Sequence, residues 1–206
     1  MCASKRLSKQ ERKREIMESA AKVIIEKGFS NVTMEDIIAG TTMSKGGVYH
    51  YYKNSVAIFK DLVSEGMKYR NEIIKEQVVT CPKGAEIECV AKQIVDKILD
   101  SNPHTPIYVE LLIEKKRYPE LNEIFNELKQ QTLENLEAFL KDTPYFLTVR
   151  ESYDMLTDFL NGMVLASNVL DARENFEQHR KKIESMVIWL LKTEDSNPIS
   201  SKKPEK

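Results

Sequence analysis

What this chain has little of narrows it quickly. Among 206 residues only seven are Gly and seven are Pro. No stretch alternates apolar and polar residues well enough to outcompete a helical spacing, so a sheet fold is disfavoured and an all-α fold is expected. No apolar run approaches the roughly 18 residues that a membrane span needs. The stretch from Ser4 to Arg14 is too polar to be the core of a secretion signal. The three cysteines, Cys2, Cys81 and Cys89, form no CxxC pair. Their odd number and scatter speak against a disulfide framework and make a reducing cytoplasm the expected compartment. His50, His104 and His179 lie far apart, without HExxH spacing, so no metal site is expected. There is no GxSxG and no phosphate-binding glycine loop, and the acids and histidines are scattered; neither a catalytic constellation nor a cofactor site is expected.

Net charge is scarce as well. The formal value is −1, which excludes a generic polyanion binder. Its distribution says more: residues 1–60 carry 11 Lys and Arg against 6 Asp and Glu, and the remainder is acidic. A basic module on an acidic body suits nucleic-acid contact at one end only. A window of that size reaches such an excess by chance too, so the asymmetry is support and no more.

The most informative stretch runs from Thr33 to Tyr52, TMEDIIAGTTMSKGGVYHYY. Thr33 suits the N-cap of a short helix with Asp36 three residues on, Ile37 and Ile38 give it an apolar side, and Gly40 ends it. Ser44 suits the N-cap of a second helix that starts Lys45-Gly46-Gly47-Val48-Tyr49. Two capped helices about four residues apart match a helix-turn-helix, whose second helix enters the DNA major groove. Adjacent glycines cost a helix interior about 1 kcal/mol each relative to alanine. Close approach to another backbone would justify them, and at the front of a recognition helix that backbone would be DNA. His50, Tyr51 and Lys53 follow as donors for phosphate oxygens. The plainer alternative makes Gly46-Gly47 a loop and the aromatics core.

From about Lys13 to Phe59 the chain resembles the DNA-binding domain of TetR-family transcriptional repressors. The likeness is carried by Ile16, Ala20, Ala21, Gly28-Phe29, Thr33, Ile37, Ser44, Lys45-Gly46, Val48-Tyr49, Tyr52 and Ile58. The turn departs from the usual Ala-Gly-Val-Ser and reads Thr41-Thr42-Met43-Ser44; Ile38 stands where a small residue is usual. Ser55 occupies the place of a frequent Lys at the start of the fourth helix, leaving Lys53 as the substitute cation. The resemblance implies a double-stranded DNA operator as partner. Thr33, Thr42, Ser44, Lys45, Gly46, Gly47, Tyr49, His50, Tyr51 and Lys53 are the candidate contacts.

The rest reads as further helices. A long one runs from Asn54 to about Val79, broken by Cys81-Pro82-Lys83-Gly84; others span about 85–100, 107–116 and 119–140. The last two are expected over 149–170 and 175–192. The run Met186 to Leu191, MVIWLL, is apolar all round and must be buried on more than one side. It is either a central helix or one that meets a second copy; the resemblance implies a homodimer. Phe159, Gly162, Met163, Ala166, Ile183, Met186, Val187 and Leu190 are its candidate interface. The resemblance also implies a small-molecule pocket, for which Tyr69, Tyr108, Glu110, Phe125, Phe139, Tyr153, Asn161 and Met163 are candidates. The expected division is 1–53 for DNA binding, with residues 1–8 a disordered arm, 54–192 for ligand binding and dimerisation, and 193–206 a disordered tail. The reading is a ligand-responsive repressor without a metal. The alternative is a helical interaction module that does not bind DNA.

Overall fold

The computed structural model describes residues 8–192, so Cys2, most of the arm and the 193–206 tail lie outside the described residues. Among the described residues there are ten α-helices, one 3-10 turn and no strand. They are α1 (Lys9–Lys27), α2 (Met34–Ala39), α3 (Lys45–Tyr51), α4 (Ser55–Thr80), α5 (Glu86–Leu99), α6 (Thr105–Glu114), α7 (Pro119–Leu140), α8 (Phe146–Val169), α9 (Arg173–Gln178) and α10 (Arg180–Lys192). The chain is all-α, with the helix-turn-helix in α2 and α3 and a helical body after them.

Ser8, expected in the arm, instead starts the fold. Its hydroxyl accepts from the Glu11 amide at 3.2 Å, and its own amide donates to the Glu11 carboxylate at 2.6 Å. This reciprocal capping box satisfies two donors that a helix start leaves open. At the other end of α1, Phe29 turns inward after Gly28 and packs on Phe59 and Tyr118, with ring centroids 4.6 and 5.3 Å apart. Asn54 caps α4 by accepting from the Ala57 amide at 2.9 Å.

Two hydrophobic clusters fill the interior. The first joins Ile16, Ile24, Ile37 and Val48 to Ile58, Phe59 and Leu62 of α4, and to Leu111 and Leu121 beyond. It therefore runs straight across the expected division at residue 53, and α4 shares its first turns with α1 to α3. The second gathers α5, the end of α7, α8 and α10 around Ile87, Val95, Leu140, Val149 and Val187.

Three details differ from expectation. The last helix is two, broken at His179, whose ring nitrogen lies 3.0 Å from the Asn175 carbonyl; a side chain reaching into the helix ladder is a known cause of such breaks. Cys81 and Cys89, expected to be free, are joined by a disulfide with Cα atoms 6.2 Å apart, so the cysteines no longer argue for a reducing compartment. The Pro82–Gly84 turn reverses the chain, so the first turn of α5 returns to the end of α4; the wide sequence spacing of the cysteines hid this. Finally, Ile183 and Val187, expected at a dimer interface, are 6% and 0% exposed and belong to the second cluster.

Candidate nucleic-acid interface and effector cavity

The helix-turn-helix is held by contacts that fix α3 from both ends. Thr33 and Asp36 form a full capping box on α2. The Thr33 hydroxyl donates to Asp36 at 2.7 Å and accepts from its amide, so it is spent on the cap. That bond, the Thr33 amide and Lys27 hold the Asp36 carboxyl far below the usual carboxylate range, the Lys27 bond being the largest cause. Gly40 has an ordinary negative φ, but a Cβ there would lie 2.2 Å from the Ser19 hydroxyl. Its glycine is needed for close approach of α2 to α1, where Ser19 donates to the Ile37 carbonyl at 2.7 Å.

Ahead of α3, Thr42 is gripped from α1. Its amide and hydroxyl both donate to the Glu15 carboxylate at 2.6 Å, and Arg12 donates to the same hydroxyl at 3.1 Å. These Thr42 bonds are the leading cause of the lowered Glu15 pKa. Ser44 caps α3 by accepting from the Gly47 amide at 3.2 Å. Behind α3, the buried Tyr52 donates to Asp61 of α4 at 2.8 Å, and Lys13 of α1 meets the same carboxylate at 3.0 Å. Burial first, then Asp61, pushes the Tyr52 phenol up.

Between these anchors α3 turns one face outward. Lys45, Gly46, Tyr49, His50 and Lys53 are exposed. Lys45 is ion-paired to Glu35 at 2.8 Å, an exposed pair that competes weakly with another partner. The two glycines have different surroundings. A Cβ on Gly46 would meet nothing, whereas one on Gly47 would press on Met43 and the Ser44 hydroxyl at 3.4 and 3.3 Å. Only Gly46 opens outward. Tyr51 is half-buried, packed against the core with its ring edge-on to His50. Of the ten candidate contacts, the outward face of α3 thus gathers Lys45, Gly46, Tyr49 and His50, with Ser44 exposed at its start and Lys53 exposed just past its end. Thr33 and Thr42 are exposed but have their hydroxyls bonded to Asp36 and Glu15, and Gly47 and Tyr51 are half-buried. Sequence reasoning missed Arg12, Lys13, Glu15, Ser19 and Asp61, the residues that lock α3 in place. A faint signal was there, in the one-turn spacing of Arg12 and Glu15 on an otherwise polar side of α1.

A second feature lies in the body. A cavity of about 220 Å³ is lined by α4 to α8, with Leu191 of α10 at its edge. Tyr69, Tyr108, Phe125, Phe139, Tyr153 and Asn161 line it, as expected. Tyr108 donates to Asn161 at 2.8 Å, and burial pushes its phenol up. Tyr153 donates to the Lys129 carbonyl at 2.7 Å. Two candidates do not belong to the lining. Met163 packs between the two core clusters. Glu110 faces α1 and accepts from the Phe29 amide at 2.9 Å. An acid in an apolar segment needs a partner, and this one has a backbone amide of the DNA-binding end. The lining also includes Arg70, Gln93 and Lys97, which sequence reasoning did not single out because periodicity alone does not show which polar residue on a helix faces inward.

Known proteins carry the same pattern. Residues 16–62 match the family described as bacterial regulatory proteins, tetR family. The chain is 26% identical over 145 residues to an uncharacterised HTH-type transcriptional regulator, YfiR, of Bacillus subtilis strain 168, a match spanning 63% of this chain and 69% of that one. Among solved structures it is similar to GusR of Salmonella enterica, with a TM-score of 0.72 and 17% identity over 92% of this chain and 100% of that one. It is also similar to the fatty acid degradation regulator FadR of Bacillus halodurans, with a TM-score of 0.70 and 19% identity over 88% and 97% of the two chains. At such identities these two likenesses speak for the fold. No described helix is long and apolar enough to cross a membrane. Residues 16–62, which hold the helix-turn-helix, thus match the DNA-binding domain of the tetR family of bacterial regulatory proteins, on a chain whose fold is shared with these solved structures over most of its length.

Proposed function

We propose that this protein is a cytoplasmic repressor that binds a palindromic double-stranded operator as a homodimer and leaves it when a small molecule fills the cavity. The observation that carries the reading is the construction of α3. A short helix with Lys45, Gly46, Tyr49 and His50 on its open face, and Lys53 exposed just past its end, is fixed at both ends by Glu15–Thr42 and Tyr52–Asp61. Rigid presentation of one polar face is what groove reading requires. Lys45 and the backbone at Gly46 then face bases, while Ser44, Tyr49, His50 and Lys53 hold phosphates. Phosphate contacts set register and base contacts set sequence. With so few base-reading side chains, DNA shape contributes to specificity.

Release follows from how the cavity is connected. α4 forms one wall and is a single helix back to the Tyr52–Asp61 anchor. α6 supplies Tyr108 to the cavity and, two residues on, Glu110 to the Phe29 amide. A ligand that moves either helix therefore pulls on the DNA-binding end. A coupling of about 1–3 kcal/mol changes operator affinity roughly 5–150-fold.

The test is selection of genomic fragments with purified protein, then footprinting at two salt concentrations. A palindromic footprint whose affinity falls about 10³–10⁵-fold between 50 and 200 mM salt, as expected for 6–10 phosphate contacts, supports the reading. No enrichment at low salt overturns it.

A further inference from the structure

The cavity wall carries polar side chains at several places, and at one of them two cations, Arg70 and Lys97, stand together. Lys97 of α5 points its ammonium over the Tyr108 ring, 4.3 Å from the centroid, and among the described residues it has no carboxylate partner. Beside it stands Arg70 of α4, which donates to the Gln93 carbonyl one turn earlier on α5. The Gln93 side-chain amide nitrogen is buried without an acceptor. Burial, helped by Arg70, pulls the Lys97 ammonium down to about 8.

Two carboxylates lie near, and both are occupied. Asp96 is paired with Arg180. Asp100 accepts from the Asn102 amide and side chain at 3.0 and 2.6 Å. Their fields fall on Arg70, whose charge they offset. Lys97 remains as the uncompensated cation. An apolar part of the lining is formed by Ile74, Ile94, Phe125, Leu136, Leu156 and Leu160, beside neutral polar groups such as Thr132, Asn135 and Asn161.

An ammonium half-buried in a cavity wall without a counter-ion is costly, and so is a buried amide nitrogen without an acceptor. A single acceptor-rich group of charge −1 relieves both at once. The volume of about 220 Å³ falls below the range of about 300–1,000 Å³ typical of drug-sized ligands.

Resting on the effector reading above, we propose that the effector is a small monocarboxylate with an apolar tail, its carboxylate bound by Lys97 and the Gln93 amide and its tail in the apolar part of the cavity. A dianion is disfavoured because Arg70 is already offset. A neutral molecule of the same shape leaves Lys97 unpaired.

The experiment is calorimetric titration of the full-length protein with octanoate, octanamide and octylamine, and with 4-phenylbutanoate and its amide. The carboxylates are expected to bind at least tenfold more tightly than their amides, and octylamine not at all. Lys97→Met should lose that preference while still binding the amides, which also shows that the cavity is intact. Arg70→Gln, in contrast, should change carboxylate affinity less than Lys97→Met does. Equal binding of carboxylate and amide by the wild type overturns the anion assignment and leaves the effector cavity standing. Unchanged octanoate binding by Lys97→Met does the same. Absence of binding by every probe overturns the cavity reading, and this proposal with it.

Discussion

At the scale of single residues, Gly46 and Gly47 separate two uses of glycine that the sequence alone merges. Gly47 is pressed by Met43 and Ser44, so its small size serves the turn, whereas Gly46 has open space around it. Gly46→Ala should therefore stabilise α3 by about 0.5–1 kcal/mol through helix propensity. It should weaken operator binding at least tenfold by holding the DNA backbone away. Thermal melts and a fluorescence-anisotropy titration check the two halves; a stabilised variant with unchanged affinity would remove Gly46 from the interface. Lys97 gives a second prediction at this scale. Its ammonium is lowered from 10.5 to about 8, so the empty folded state holds that proton less tightly than the unfolded chain does. The cost is fully present below pH 8 and is relieved as pH rises from about 8 towards 10.5. At about 1.4 kcal/mol per tenfold change in proton affinity, Lys97→Met should stabilise the empty protein by up to roughly 3 kcal/mol at neutral pH. Arg70, Asp96 and Asp100 are shared by both proteins, so the difference between their melting curves isolates Lys97. That difference should shrink across pH 8 to 10.5.

At the scale of elements, α6 is the part whose role changes most between sequence and structure. Its apolar run suggested a pocket wall with a buried acid in it. The wall is there, but Glu110 turns the other way and binds the Phe29 amide. Glu110→Ala leaves that amide unpaired and should uncouple the cavity from α1. Operator affinity without effector should stay within about threefold, while the effector-driven loss of binding falls several-fold, within the range that typical coupling energies allow. Glu110→Gln keeps an acceptor oxygen and should retain most of the response. Gel-shift titrations with and without effector distinguish these outcomes. The same helix shows where legibility ends. Helix existence and most ends could be read from apolar spacing, Ser and Thr caps and Pro positions, which are local properties. The direction in which Glu110, Lys97 or Ile183 points depends on what the neighbouring helices bring, and no local pattern encodes it. The outward residues of α3 were legible because two caps and the glycines fix that helix within ten residues. The grip of Glu15 on Thr42 was not, since it spans 27 residues of chain.

At the scale of the whole molecule, one surface stays open to a partner. On α8 and α10, Met155, Met186 and Trp189 are 48%, 51% and 64% exposed, and a Cβ added at Gly162 would meet nothing in the chain. Leu190 and Ala166 are half-buried beside them. Ile183 and Val187 hold α10 to its own body, which leaves the outer side of that helix for a second copy, and a two-fold pair is the commonest arrangement. In the proposed operator complex, dimerisation is more than an accessory. A single copy offers one short reading helix, whereas two copies would place a pair at the spacing of about 34–36 Å that successive major-groove turns present. Met186→Glu puts a charge in the centre of the open face without touching α1 to α3 or the cavity. It should convert a dimer to a monomer in sedimentation velocity and leave the melting transition cooperative. Because the slope of log affinity against log salt scales with the number of phosphates neutralised, the monomer should show about half the wild-type slope. A variant that is monomeric yet keeps the full slope would mean that one copy makes all the phosphate contacts. In that case the paired-helix arrangement of the operator complex is wrong.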